Sequence, residues 1–170
     1  VLRDAKATPG VTAATPMIQE PLMGTFSGRV EGVMVRGMTV NDIRGNRTIK
    51  VLSGNLALLT ANGGQVAIGS QLAANLGISV GEQITVLNPL GRSTPFGTIP
   101  RQIGYQVAAI FESGVYDYDS AFIIMPIEDA QTLLLMGDEV GMIEIETSNP
   151  DEVGAILAPL AAKVDGRAII

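Results

Sequence analysis

The chain has 170 residues with no histidine and no cysteine, which removes Ser-His-Asp and Cys-His catalysis, Cys/His zinc sites, iron–sulfur ligation and disulfides. Hydrophobic residues make up 46% and charged residues 16%, so the chain is globular, and with 4% aromatics and no Trp its core has to be aliphatic. The net charge of −6 is uneven: residues 1–111 carry nine basic and five acidic side chains, and residues 112–170 carry twelve acidic and two basic, which argues against a nucleic-acid footprint.

Val1 to Lys6 reads as the end of a helix, and a start at Val1 rather than Met reads as a piece of a longer protein. No apolar run reaches the ~18 residues of a membrane span, and no signal peptide is present. Thr8-Pro9-Gly10 is a turn, and Val11 to Thr15 a short strand. Pro16 to Gly28 reads as irregular. Val30 to Met38 is a strand with Val33 and Val35 on one face. Thr39 caps a helical turn ending near Arg44, and Val51 to Thr60 is ambiguous between helix and strand. Met17, Met23, Met34 and Met38 read mainly as core, with an adaptable apolar surface as the alternative.

Val66 to Ile68 is a buried strand. Ser70 is positioned to cap a helix from Gln71 to Leu76 that stops at Gly77. Gly81-Glu82 is a turn and Gln83 to Leu87 an alternating strand. Tyr105 to Phe111 and Ser120 to Met125 are strands. Ile127 to Leu135 is a helix entered through Pro126. Met142 to Thr147 alternates as a half-buried strand. Asn149-Pro150-Asp151-Glu152 starts a final helix, bent at Pro159 and ended by Asp165-Gly166.

Two segments carry possible chemistry. Asp117-Tyr118-Asp119 places two carboxylates on one face if the segment is extended, a pair able to contribute to a Mg²⁺ or Mn²⁺ site. The simpler reading is a turn with solvated carboxylates. No Gly-rich phosphate loop is present, and no Ser motif accompanies Lys6, Lys50 or Lys163 to make a Ser-Lys dyad. The second segment, Asn88 to Gln102, joins two predicted strands but is much longer than a hairpin loop. Its prolines (Pro89, Pro95, Pro100) stiffen it, and it presents Leu90, Phe96 and Ile99 beside Arg92 and Arg101. A stiff loop with apolar tips and basic sides suits protein binding. The alternative is that it folds back over the domain's own core.

The stretches Val11 to Met17 (VTAATPM), Gly32 to Met38 (GVMVRGM), Ile68 to Gly77 (IGSQLAANLG), Gly81 to Thr85 (GEQIT), Thr94 to Arg101 (TPFGTIPR) and Val115 to Gln131 (VYDYDSAFIIMPIEDAQ) resemble, in order, the periplasmic domain of LolC/LolE-type permeases. These are the membrane subunits of the lipoprotein-releasing ABC transporter, with MacB-like and FtsX-like permeases as wider relatives. The resemblance implies an α+β fold, a MacB-like periplasmic core domain with an α/β porter lobe and a strand-rich sabre lobe. The chain, residues 1–170, is then one periplasmic domain. On the alternation pattern its α/β lobe is residues 1–17 plus 104–170. The strand-rich lobe is residues 18–103 with a hook-like loop at 89–102.

The resemblance also implies a module that is not an enzyme and needs no cofactor, on the periplasmic face of the bacterial inner membrane. Its ATPase would be a separate cytoplasmic chain. Its partners would be a second permease subunit of the same or a related type, the lipoprotein substrate and a LolA-like periplasmic carrier. The hook residues that grip the carrier would be Arg92, Thr94, Pro95, Phe96, Gly97, Thr98, Ile99, Pro100, Arg101 and Gln102. Other readings are a MacB-like efflux or FtsX-like regulatory permease domain and, from a different class, a metal-dependent enzyme using Asp117 and Asp119.

Overall fold

Strands apolar on both faces and flanked by short helices dictate a layered arrangement, because each face then needs its own cover. The computed structural model describes residues 1–149, 151 and 153–164. In chain order the elements are α1 (Leu2–Lys6), β1 (Val11–Phe26), β2 (Arg29–Met38), α2 (Val40–Gly45) and β3 (Lys50–Gly54). A 3-10 turn (Leu56–Leu58) precedes β4 (Gln65–Gly69), α3 (Ser70–Leu76), β5 (Gln83–Thr94) and β6 (Gly97–Glu112). Then come α4 (Tyr116–Ala121), β7 (Phe122–Pro126), α5 (Ile127–Leu134), β8 (Met142–Thr147) and α6 (Val153–Val164).

The chain divides into two compact units, one of Val1–Met17 with the residues from Gly141 onward, the other Ile18–Val140. In the first, residues 11–17 of β1 pair antiparallel with β8. Ala5, Ala14 and Leu160 form a small core with Val11, Ile143 and Ile145 packed against it. The Lys163 ammonium donates to the Ala7 carbonyl at 2.7 Å, holding α6 against the chain leaving α1. Pro159 lies inside α6, as the sequence indicates. Pro150, Glu152, Asp165 and Gly166, expected to bracket that helix, lie outside the described residues.

In the second unit the strands run in the order β2-β7-β4-β6-β5-β1, with β3 added to β6. β2–β7 and β4–β6 are parallel; β4–β7, β5–β6 and β1–β5 are antiparallel. The pleat sends alternate side chains into two cores. Val66 and Ile68 of β4, Val107 of β6, and Ile123 and Met125 of β7 join Leu72 and Leu76 of α3 and Ala130 and Leu133 of α5 in the larger core. Ala67, Ala108 and Ile124 face the other way, against Ile43 of α2, Leu59 and Phe111. The boundary expected at residue 104 falls instead at 140/141. β6 is one strand across 104, and β7 and α5 share a core with β2 and β4, so residues 104–140 belong with residues 18–103.

Several local expectations are corrected. Pro16 to Gly28 is not irregular, because β1 runs to Phe26. It turns into β2 through Ser27 and Gly28, both at positive φ (49° and 80°). Two residues of that geometry match the twist of a hairpin, and the small Ser-Gly pair allows it. Ser70 does not cap α3; its helix has no side-chain cap bond, and the Ser70 hydroxyl has no hydrogen-bond partner among the described residues. Thr39 does cap α2, accepting from the Asp42 N–H at 3.2 Å. Met17 and Met38 are core, whereas Met23 is 43% exposed.

Candidate functional site

The segment from Asn88 to Gln102 is not a loop. β5 continues to Thr94 and β6 begins at Gly97, and the two pair as an antiparallel hairpin with Arg92 opposite Ile99, Ser93 opposite Thr98 and Thr94 opposite Gly97. Pairing of β5 with β1 ends at Leu87, and that of β6 with β4 begins at Gln106. Between those points the hairpin is a two-stranded ribbon extending beyond the sheet.

Pro95 and Phe96 are its two turn residues. The Thr94 hydroxyl fastens the turn, donating to the Gly97 carbonyl at 2.7 Å and accepting from the Phe96 N–H at 3.3 Å. Phe96 is fully exposed, Leu90 is 83% exposed and Ile99 59%, so none of them covers the core. Arg92, Thr98, Pro100 and Gln102 are exposed, while Thr94 and Arg101 are partly buried.

Two features shape the ribbon. Between Asn88 and Arg92 the register shifts, and β5 spends extra residues there. Gly91 sits in this irregularity against the opposite backbone: a Cβ there would lie 2.2 Å from the Ile99 carbonyl oxygen and 2.6 Å from the Arg101 nitrogen. Only glycine permits that approach.

The second feature is Asn88, which is buried (3% exposed) and pairs with Arg101. Its amide donates to the Leu133 carbonyl of α5 at 3.3 Å, and its Oδ1 accepts from the Leu90 N–H at 3.0 Å. One side chain thus ties the ribbon's root to a core helix. Asn88 was absent from the sequence-derived site, although a signal existed. Ile84 and Val86 are buried on the same alternation, and a polar residue at the next position of that face needs partners.

The Asp117/Asp119 pair is not a metal site of the expected kind. The segment is the helix α4, where positions two apart face different directions. Asp117 is exposed, while Asp119 is buried (4% exposed) rather than solvated. Its carboxylate accepts from the Ser113 N–H at 2.7 Å, the Ser113 hydroxyl at 2.8 Å and the Gly114 N–H at 3.2 Å. Those bonds occupy it in holding the loop before α4.

The chain matches the family described as MacB-like periplasmic core domain over residues 1–163. It belongs to that family. Among curated relatives it is 28% identical to the lipoprotein-releasing system transmembrane protein LolC of Neisseria meningitidis serogroup B, over 99% of this chain and 41% of that protein. It is 27% identical to LolC of Xylella fastidiosa strain Temecula1, over 95% of this chain and 39% of that one. The chain therefore spans about two-fifths of the length of these relatives.

Two solved structures share the MacB-like fold. The extracellular domain of the noncanonic ABC-type transporter YknZ from Gram-positive bacteria has a TM-score of 0.66 at 12% identity, covering 98% of this chain and 81% of that one. The periplasmic region of MacB from Actinobacillus actinomycetemcomitans has a TM-score of 0.61 at 13% identity, covering 97% and 72%. The α+β class and the MacB-like periplasmic architecture expected from the sequence are both found.

Proposed function

We propose that this MacB-like domain is the extracytoplasmic part of an ABC transporter permease that releases lipoproteins from the inner membrane, and that its β5–β6 hairpin grips a LolA-type periplasmic carrier. The observation that carries the reading is the hairpin itself. An extended ribbon with a fixed turn, a fully exposed Phe96 and an anchored root has no role in this domain's own core. It stands on a chain similar to LolC proteins. A second permease subunit of the same or a related type is its partner, the cytoplasmic ATPase acts on it through the full-length protein, and the domain itself is a binding module.

Phe96 and Ile99 act as apolar anchors, each contributing about 1.5–3 kcal/mol when fully buried on the carrier. The preset turn lowers the ordering entropy lost on docking. Arg92 and Arg101 act more on specificity and on-rate. A carrier that departs once loaded calls for an affinity on the order of micromolar, about −8 kcal/mol.

The test is interferometry of the domain against a purified LolA-type carrier. Phe96→Ala should weaken binding about tenfold or more, with the melting temperature nearly unchanged because an exposed side chain is lost. Wild-type and Phe96→Ala domains binding equally, or neither binding, would sink the carrier reading and favour an efflux or regulatory permease of the MacB or FtsX kind.

A further inference from the structure

The ribbon of β5 and β6 has two open edges. Among the described residues no strand but β6 pairs with β5 past Leu87, and no strand but β5 pairs with β6 before Gln106. We propose that Pro89 and Pro100 close these edges to strand addition, so that the chain does not pair with a second copy of itself while its apolar tip stays exposed. The proposal does not depend on which partner the tip engages.

The ribbon needs such protection. Leu90, Phe96 and Ile99 are exposed, and from residue 89 to residue 100 Arg92 is the one charged side chain. An open strand edge with apolar side chains and little charge is a template for a neighbouring chain. The chain's net charge of −6 does not guard it, since no acid occurs between Glu82 and Glu112.

The direction of each backbone group on β6 follows from two bonds. Val107 N–H donates to the Glu82 carbonyl at 2.8 Å, on the β5 side, and Gln106 N–H donates to the Gly64 carbonyl at 2.9 Å, on the β4 side. Successive N–H groups along a strand point in opposite directions. Even-numbered residues of β6 therefore turn their nitrogens away from β5. The close approach at Gly91 agrees, because the Ile99 carbonyl oxygen and the Arg101 nitrogen both lie against it from β6. The outward positions on this edge are Thr98, Pro100, Gln102 and Gly104, and Pro100 stands among them with no N–H to offer.

On β5, Asn88 lies opposite Arg101, so the Asn88 nitrogen faces β6 and the next one, that of Pro89, faces outward. The donor after it is also taken, because Leu90 N–H donates to Asn88 Oδ1 at 3.0 Å. Both prolines are exposed, and the register shift between Asn88 and Arg92 breaks the regularity of the β5 edge further. An incoming strand meets a gap on either edge. The ribbon itself gives up nothing, since an outward nitrogen contributes no bond to the β5–β6 ladder.

The experiment compares the sedimentation of the wild-type chain, Pro89→Thr/Pro100→Thr and Pro100→Thr alone over a range of concentrations, with melting temperatures and residue-level amide exchange. The extra residues of the register shift are on β5, so Pro100→Thr stays informative even where the double variant folds poorly. The expected result is a monomeric wild type and a double variant that self-associates at a concentration at least about tenfold below any at which the wild type does, with Pro100→Thr following more weakly. Association should slow exchange at the Thr98 and Gln102 amides, which face outward in the monomer. Variants that stay monomeric throughout, or that associate while those two amides exchange as before, overturn the proposal. A wild type that already self-associates with those amides protected overturns it too.

Discussion

Asp129 is 5% exposed, and its Oδ2 has no hydrogen-bond partner among the described residues, while its Oδ1 accepts from the Gly64 N–H at 3.1 Å. Burial lifts its carboxyl above the ordinary 3.8; the N–H groups of Gly64 and Asn62 pull it back, and the neighbouring Glu128 charge adds to the rise. In the unfolded chain the group loses its proton near 3.8, and in the folded chain at higher pH. Between those two points the folded state binds more protons, so its stability falls as pH rises through that window. Asp129→Asn keeps an acceptor for Gly64 and cannot ionise. Its melting temperature should therefore gain on the wild type as pH rises from about 4 to about 7, read by scanning calorimetry. Parallel pH curves for the two proteins would contradict this. The same burial, with the Asp129 charge nearby, holds the Tyr105 phenol well above its usual range despite the opposing Arg101.

At the scale of the element, the hairpin depends on one missing side chain. Gly91→Ala puts a methyl into the Ile99 carbonyl and the Arg101 nitrogen. The two strands must then separate at the register shift. The expected result is loss of the amide-exchange protection of residues 92–99 and weaker carrier binding, with a global destabilisation of no more than about 1–3 kcal/mol because the core is untouched. Unchanged protection in the ribbon would refute the argument.

This element was also the one most misjudged from the sequence. Pro89, Pro95 and Pro100 with Gly91 and Gly97 look like loop composition. Yet Pro95 occupies the turn and Pro100 lies beside the register shift, where a missing N–H does not interrupt the ladder. Its unusual apolar content was legible nonetheless, and the structure leaves Leu90, Phe96 and Ile99 exposed rather than folded over the core.

At the scale of the molecule, the ribbon's independence from the cores predicts a clean excision. Replacing residues 90–100 by a two-residue Asn-Gly turn removes no residue of the three cores. The shortened chain should keep its circular dichroism spectrum and a melting temperature within a few degrees of the wild type, while carrier binding disappears. Loss of cooperative unfolding in the shortened chain would mean that the ribbon supports the fold.

The sequence by itself determined the aliphatic character of the cores, the helices α3, α5 and α6, the strands β2, β4, β7 and β8, and the family. These follow from local periodicity, caps and ordered short motifs, which need no knowledge of distant partners. Only the tertiary structure decided that residues 16–26 are strand, that Asn88–Gln102 is a hairpin, that Asp119 is an internal acceptor, and that the unit boundary lies at 140/141. Each of these depends on a partner far away in the chain: β8 and β5 for β1, the ladder of β5 with β6, the Ser113 loop for Asp119, and the shared sheet for β6 and β7. Backbone pairing across such distances satisfies the donors and acceptors of a Pro- and Gly-rich segment that looks irregular when read alone.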